Sequence, residues 1–455
     1  MSRARIRVWD LARERLFTDL KGLGTGFADV AFTPDGASLA TVDDKELVVW
    51  RLTSPGVRVF RRPLAGEVVH SLAWDPGPGR VLRFLVGATV HSYDLSANLP
   101  PSWQSSPAAS AVLGPDGTVL ATVIRSAGGA RWVLRSTRTG VVLAESPPLP
   151  AAGKDATSDS GAPLPLLAFS PDGRALAISD TTSSHGSARQ RLTVWDIPER
   201  KVRASTESPR ARAEDGLPFA LALGRGGRTL LAVASENDDV LEVWDPGSGR
   251  LRRTGTVPGF FGTALTVRPD GLLLAGAGDQ YVRLPSGPVT DRALSEGRSV
   301  TALAFSPDST RLAAGDSSGR VALWDGSVQR PAGVLTGIPT TVPQGAPEAV
   351  TALAFSPDRR TLAVGGAHGT LQLWDVASRQ LLADLPTPGE EIRSLAFSRD
   401  GGTVYASSPH VPLQSHPIDP EQAVIRICDR TGSTGLSRAD WKAYVPDVTY
   451  RRICG

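Results

Sequence analysis

The chain has 455 residues, of which 41% are hydrophobic and 21% are charged, and its formal net charge at pH 7 is +3. This balance is typical of globular proteins and gives no electrostatic reason to expect a nucleic-acid partner. Two cysteines are too few for a disulfide framework, and no apolar run is long enough to span a bilayer. We therefore expect a cytoplasmic protein without a membrane partner.

The first predicted elements are two short strands, "RIRVWD" (5–10) and "RLFTDL" (15–20). They match the third and fourth strands of a unit that recurs along the chain, but no first or second strand precedes them. The sequence is therefore expected to begin in the middle of a unit.

The recurring unit contains four short predicted strands. Its first strand runs into a turn such as "TPDG" (33–36), and two copies, at 301–308 and 351–358, are identical: "TALAFSPD". Proline fixes φ, aspartate bonds to nearby amides and glycine adopts positive φ, so each turn predicts a hairpin. The last residue of the first strand recurs every 38–56 residues, at Phe32, Trp74, Leu113, Phe169, Leu223, Val267, Phe305, Phe355 and Phe397.

A period near 40 residues with four strands per unit predicts an all-β repeat protein of about nine and a half units. Each unit can bury its apolar faces only against its neighbours. We expect the large side chains that end the first and third strands to fill the gaps between neighbouring sheets. The residues at these positions are Trp50, Trp195, Trp244, Trp324, Trp374, Phe169, Phe305, Phe355 and Phe397.

The units resemble WD repeats (WD40), with the pattern "LAFSPDG…LA…G…LWD", over about residues 1–420. The resemblance implies β-propellers made of four-stranded antiparallel blades. The chain lacks the Gly-His pair that is common in this family, and Ser318 and His368 stand where an aspartate is usual, although Asp44 and Asp238 match. We therefore expect the polar network around the tryptophan to be broken in most blades.

A Pro- and Ser-rich stretch at 98–110 predicts a linker between two propellers. We expect a partial propeller of about two and a half blades at 1–100, a seven-bladed propeller at 101–420 and a helical tail at 421–455. The alternative is one large ring formed by residues 1–420.

Polar insertions predict flexible rim loops at 146–163, 181–190 and 331–349. In the tail, helices are predicted at 419–432 and at 436–447, the second with Ser437 as its N-cap and Asp440 three residues later. The segment "SRADWKAYVPDVTYRRIC" resembles the end of WD-repeat arms on actinobacterial signalling NTPases. That resemblance implies that the chain is the detached C-terminal arm of such a protein.

Several residues carry chemistry in other proteins but are expected to be structural here. "GDSSG" (315–319) has the spacing of a hydrolase nucleophile, yet a strand follows it where that site needs a helix. His410 and His416 lack further ligands at metal-binding spacing, so we expect surface or loop histidines. The carboxylates of "ENDDVLE" (236–242) are expected in a solvated turn.

Two further features have simple interpretations. Cys428 and Cys454 could form a disulfide that pins the tail, but in a cytoplasmic protein we expect ordinary packing. The segment "SPRARAED" (208–215) is charge-balanced and lacks aromatic residues, so a solvated loop is expected rather than a nucleic-acid patch.

The sequence thus predicts a non-catalytic scaffold or sensor module that binds another protein through its rim loops and the mouth of a central channel, without a cofactor. The alternative is a metal-dependent propeller hydrolase with its site at the channel. Such a site needs Asp, Glu, His or Asn residues that converge on the axis. The inner strands, for example "TALAF" and "LLAF", are apolar instead.

Overall fold

The computed structural model describes most of the chain. The described residues are 4–23, 27–53, 56–64, 67–76, 80–95, 108–126, 129–147, 165–184, 187–208, 218–235, 239–247, 249–296, 298–335, 348–419, 424–425, 428, 437–444 and 449–450.

Three sheets come first in the chain. They contain β1 (Ala4–Asp10) and β2 (Arg15–Leu23); β3 (Phe27–Phe32), β4 (Ser38–Asp43), β5 (Glu46–Arg51) and β6 (Val57–Pro63); and β7 (Val69–Trp74), β8 (Val81–Val86) and β9 (Thr89–Asp94).

Seven more sheets follow. They contain β10 (Ala108–Leu113), β11 (Val119–Ser126), β12 (Gly129–Ser136) and β13 (Val142–Glu145); β14 (Leu166–Phe169), β15 (Ala175–Ser184), β16 (Ser187–Asp196) and β17 (Lys201–Ser208); β18 (Pro218–Leu223), β19 (Leu230–Ser235), β20 (Asp239–Asp245) and β22 (Arg252–Pro258); β23 (Leu265–Val267), β24 (Leu273–Gly276), β25 (Gln280–Arg283) and β26 (Val289–Asp291); β27 (Val300–Phe305), β28 (Arg311–Asp316), β29 (Val321–Asp325) and β30 (Pro331–Leu335); β31 (Val350–Phe355), β32 (Thr361–Gly366), β33 (Leu371–Asp375) and β34 (Leu381–Asp384); and β35 (Ser394–Phe397), β36 (Thr403–Ser407) and β37 (Gln414–Pro417).

Within each sheet, strands that follow one another in sequence pair antiparallel; β21 (Gly249–Arg250) is an exception, because it pairs parallel with β17. The chain therefore has the predicted all-β architecture of four-stranded antiparallel blades, in about nine and a half repeats. A short helix, α1 (Arg438–Tyr444), lies in the tail. Its predicted cap is confirmed, because Ser437 Oγ accepts the Asp440 amide at 3.1 Å and donates to the Asp440 carboxylate at 2.6 Å.

The turn after β27 is built as its sequence predicts. In the turn of Ser306 to Ser309, Ser306 Oγ donates to Asp308 Oδ1 at 2.7 Å and accepts the amide of Arg311 at 2.9 Å. The residue after the aspartate has positive φ, whether it is glycine, as at Gly173 (+68°), or not, as at Ser309 (+64°). These bonds close the hairpin, so that the second strand runs antiparallel to the first.

The register places each tryptophan of the third strand opposite an apolar residue of the second. Trp324 pairs with Leu312 and Trp374 pairs with Leu362. In both sheets a register shift between the third and fourth strands falls directly before the tryptophan. A bulge at this point increases the local twist of the sheet.

The seven sheets from β10 onward contact one another through their first strands. Each first strand contacts the next from β10 through β14, β18, β23, β27 and β31 to β35, and β35 also contacts β10. At this last contact Leu113 N donates to Ser394 Oγ at 3.0 Å, and Arg393 Nη1 donates to the Ala109 carbonyl at 2.6 Å.

The N-terminal sheets pack on the last part of this array. Val411 is fully buried in a cluster with residues of the second and third sheets, including Phe60 and Phe84. The Arg61 amide donates to the Thr387 carbonyl at 3.0 Å.

One of the predicted rim loops is a strand hairpin instead. The insertion at 181–190 is not a loop, because β15 and β16 continue through it as a hairpin with Thr181 opposite Gln190 and Ser184 opposite Ser187. The polar composition of this segment favoured a loop, but its backbone groups pair as a continuation of the two strands. The insertions at 146–163 and 331–349 lie largely outside the described residues, except that 331–335 forms β30.

Candidate binding site at the central cavity

The seven first strands that begin with β10 line a cavity of about 650 Å³. Its wall is mainly aliphatic and aromatic, as shown by Leu303 and Phe305 on β27 and by the equivalent Leu353 and Phe355 on β31. Leu303 and Phe305 lie on the same face of β27, as do Leu353 and Phe355 of β31, because side chains alternate between the two faces of a strand. The cavity wall therefore presents mainly apolar side chains.

The charged groups of the lining lie in the turns that follow the first strands, at one mouth of the cavity. Asp116 and Asp172 are its carboxylates, and Arg399 is its cation. Arg399 Nη2 donates to Asp116 Oδ2 at 2.9 Å. Burial raises the pKa of Asp116, but hydrogen bonds from Thr118 and Arg399 outweigh it and hold the pKa below its usual value. This carboxylate is therefore ionised and occupied by local partners.

Asp308 is held in the same way at the turn that follows β27. Its Oδ2 accepts a hydrogen bond from Arg359 Nη1 at 2.9 Å, across the boundary to the next blade. Burial raises its pKa, but bonds from Arg359, Ser306 and Thr310 prevail and hold that pKa far below its usual range. An acid so firmly ionised is a poor proton donor at neutral pH. The turn carboxylates therefore act as structural anchors.

The residues predicted to fill the gaps between sheets end their strands as expected. Trp50, Trp324, Trp374, Phe305, Phe355 and Phe397 are buried, whereas Trp195, Trp244 and Phe169 are half-buried. The indole nitrogens of four tryptophans have acceptors. Trp50 donates to Thr41 Oγ1 at 3.0 Å, Trp324 to the Leu294 carbonyl at 3.0 Å, Trp374 to Gln372 Oε1 at 3.1 Å and Trp244 to Glu242 Oε2 at 3.2 Å. Trp195 instead packs edge-on against Trp132, with ring centroids 5.8 Å apart.

Buried polar networks of a different kind are present in the two blades where Ser318 and His368 replace the usual aspartate. Asp316 is completely buried, and its carboxylate accepts Ser295 Oγ at 2.6 Å and Ser318 Oγ at 2.8 Å. In the next blade Glu348, which is 2% exposed, accepts hydrogen bonds from Thr370 and from the His368 amide. The sequence analysis missed Glu348 because this residue lies before β31, about 20 residues from the turn that it contacts.

His410 and His416 do not form a metal pair. His410 Nδ1 lies 2.8 Å from Glu390 Oε1, and the hydrogen bond raises the pKa of His410 although burial opposes it. His416 lies in β37 and is 6% exposed, so the expectation of a surface or loop residue was wrong; burial lowers its pKa to about 4. Within the described residues, no three His, Cys, Asp or Glu side chains are placed to hold a metal ion.

The remaining candidate residues have structural positions. Residues 315–319 form the hairpin turn between β28 and β29, as predicted. Glu242 is not in a turn: it is buried within β20, where Arg253 Nη1 donates to it at 2.8 Å. The segment 208–215 lies almost wholly outside the described residues. In the part of the chain that is described, no helix could span a bilayer.

Cys428 is disulfide-bonded, so the expectation of ordinary packing was wrong. The sequence contains one other cysteine, Cys454, which lies outside the described residues. A covalent bond at Cys428 ties the tail more firmly than packing alone would.

Comparison with known proteins finds one matching family model. Two segments, residues 293–325 and 337–375, match the family model described as WD domain, G-beta repeat. The solved structure described as "Structure of U3-55K" is similar, with a TM-score of 0.46 and 21% identity, over 67% of this chain and 89% of that chain. No curated protein matches the chain. Residues 293–325 and 337–375 thus match WD40 repeats, and they lie within an all-β array of antiparallel sheets.

Proposed function

We propose that the protein is a non-catalytic scaffold that binds another protein through its rim loops and the mouth of the central cavity. The observation that carries this proposal is the apolar cavity wall, whose mouth has a carboxylate, Asp116, that is already engaged by Arg399 and Thr118. WD40 repeats of the kind matched at 293–325 and 337–375 are typical of protein-binding modules.

The proposal includes the domain organisation. We propose that residues 101–420 form one ring of seven blades, and that residues 1–100 form a separate partial propeller. The contact of β35 with β10 and the cavity lined by seven first strands support this division. In one large ring of all the blades, the N-terminal sheets would stand between β35 and β10.

Site-specific photocrosslinking tests the binding role. A benzophenone amino acid replaces exposed residues at two rim positions, His368 and Arg360, and at a control position on an outer strand, Leu382. The proposal predicts that one protein crosslinks from a rim position and not from Leu382. Crosslinking only from the outer strand would contradict it.

The alternative hydrolase is tested on the same protein. Turnover of a small ester or lactone in the presence of a divalent metal would overturn the non-catalytic assignment. Loss of that turnover on substitution of a cavity residue such as Phe305 would locate the activity at the cavity.

We also propose a role in signalling, as the arm of an NTPase, on the basis of the tail segment 437–454. Under this proposal the protein is cytoplasmic, although a disulfide at Cys428 is unusual in a reducing compartment. Thiol labelling of freshly lysed cells tests the location. A reduced Cys428 fits the cytoplasm, whereas a fully oxidised one with the protein in a secreted fraction would contradict it.

A further inference from the structure

Among the seven sheets from β10 onward, the turn after β18 alone lacks an aspartate three residues past the first strand. In seven turns an aspartate side chain accepts the amide of the residue two positions later; these aspartates are Asp35, Asp116, Asp172, Asp270, Asp308, Asp358 and Asp400. After β18 the corresponding turn reads Gly224-Arg225-Gly226-Gly227. Gly226 is three residues past the end of the first strand, where Asp308 stands after Phe305. This turn therefore has no carboxylate of its own.

Gly226, which occupies the position of the aspartate, lines a cleft of about 710 Å³ between neighbouring blades. Its lining includes Asp172, Arg174, Arg203, Arg225, Arg228 and Asp270, which together define the arginine cleft. Arginines outnumber carboxylates four to two in this lining. The cleft is therefore positively charged, while the chain as a whole is nearly neutral.

Three of these arginines have no ion-pair partner among the described residues. They are Arg174, Arg225 and Arg228, and all three are exposed. Arg203 differs, because it binds Asp196 and the carbonyl of Gly226, and it thereby fixes the turn beside the cleft. The cleft thus combines a fixed backbone with guanidinium groups that are free to bind a ligand.

The two carboxylates of the lining do not neutralise the free arginines. Asp172 accepts Ser170 Oγ at 2.7 Å, and Asp270 accepts Arg268 Nη2 at 2.8 Å. Asp172 lies close to the vacant position, since a Cβ on Gly226 would be 3.7 Å from its Oδ2. A phosphate group, which can carry two negative charges, would be repelled more strongly by Asp172 than a singly charged carboxylate.

We propose that the arginine cleft binds glutamate or aspartate side chains of an acidic peptide segment on the partner protein. Guanidinium groups bind carboxylates in bidentate geometry, and clusters of arginine commonly recognise acidic motifs. The cleft has no aromatic side chain on which a base could stack, so it favours a peptide over single-stranded nucleic acid. This inference rests on the proposed binding role and adds the chemical class of the partner.

The test is the binding of fluorescein-labelled hexaglutamate to the full chain, followed by fluorescence anisotropy. The variant Arg225→Glu/Arg228→Glu should bind at least about tenfold more weakly, because attraction becomes repulsion. The matched control Arg250→Glu/Arg252→Glu makes the same charge change at exposed residues outside the cleft and should bind within about twofold of the wild type. Circular dichroism checks folding, and Arg225→Gln/Arg228→Gln provides a milder second variant.

The inference would be overturned if the cleft and control variants weakened binding equally, or if the wild type showed no saturable binding. Tighter binding of a thymidine hexanucleotide than of hexaglutamate would also overturn it. Competition by inorganic phosphate at lower concentration than acetate would reassign the cleft to phosphate groups and would also overturn it. If a partner still crosslinks from His368 or Arg360 while hexaglutamate does not bind, this inference alone fails and the scaffold proposal stands.

Discussion

His410 Nδ1 lies 2.8 Å from Glu390 Oε1, close to where the N-terminal sheets pack on the last sheet of the array. Glu390 follows Gly389, which contacts Arg61 of β6. The charges around the imidazole are Glu390, which raises the pKa of His410, and Arg393 and Arg51, which lower it. The hydrogen bond to Glu390 is the largest of these effects, so the protonated form is favoured.

A raised pKa gives this pair a defined pH dependence. The His410–Glu390 pair stabilises the folded state fully below the ordinary histidine pKa of 6.5. This stabilisation is lost as the pH rises through the raised pKa of His410. Histidine-specific NMR can follow the titration, because the chain has only six histidines. The substitution Glu390→Gln should lower the pKa of His410, and an unchanged titration curve in that variant would contradict the pairing.

His416 should give the stability of the protein the opposite pH dependence to that from His410. Burial lowers its pKa to about 4, so the folded state resists protonation while the unfolded state accepts a proton near pH 6.5. Stability should therefore fall as the pH decreases from 6.5 to about 4, by about 3 kcal/mol in total. Urea unfolding at several pH values measures this. The variant His416→Gln cannot titrate, so a pH dependence as steep as in the wild type would rule out the assignment.

Replacement of Trp374 by alanine should destabilise the array strongly. Trp374 is 5% exposed and packs with Phe355, so truncation should cost about 3–5 kcal/mol of unfolding free energy. Trp9, at the end of β1, is 54% exposed and is the matched control, with an expected cost below about 1 kcal/mol. Similar losses for both variants, measured by urea denaturation, would show that Trp374 is not packed as described.

Glu348 should be a structural residue despite its charge. Replacement by alanine leaves the Thr370 hydroxyl and the His368 amide without their acceptor, at a cost of about 2 kcal/mol. Glu296, whose side chain is 86% exposed, is the control, and its replacement by alanine should change stability by less than about 0.5 kcal/mol. Thermal unfolding of both variants compares them directly, and equal melting temperatures would refute the role of Glu348.

The sequence predicts those parts of the structure that are determined by residues close together in the chain. The turn at Ser306–Asp308 and the strand that ends in Trp324 are specified by residues within a few positions of each other. The parts it missed depend on distant residues. Glu348 reaches a turn 20 residues away, and Val411 enters the core of the N-terminal sheets. The arginine cleft likewise becomes visible only when neighbouring blades place Arg174 beside Arg225.

The proposed seven-bladed ring is tested most directly by a distance across its seam. Nitroxide labels on Asp116→Cys and Arg399→Cys mark two turns that an ion pair joins at 2.9 Å, and Asp308→Cys with Arg359→Cys gives the reference for neighbouring blades. Packed sheets lie ~10 Å apart, so a closed ring predicts a separation within roughly 20 Å for both pairs, measured by pulsed electron paramagnetic resonance. A separation of roughly 60 Å for the 116/399 pair alone, as in an open stack of seven sheets, would contradict the ring.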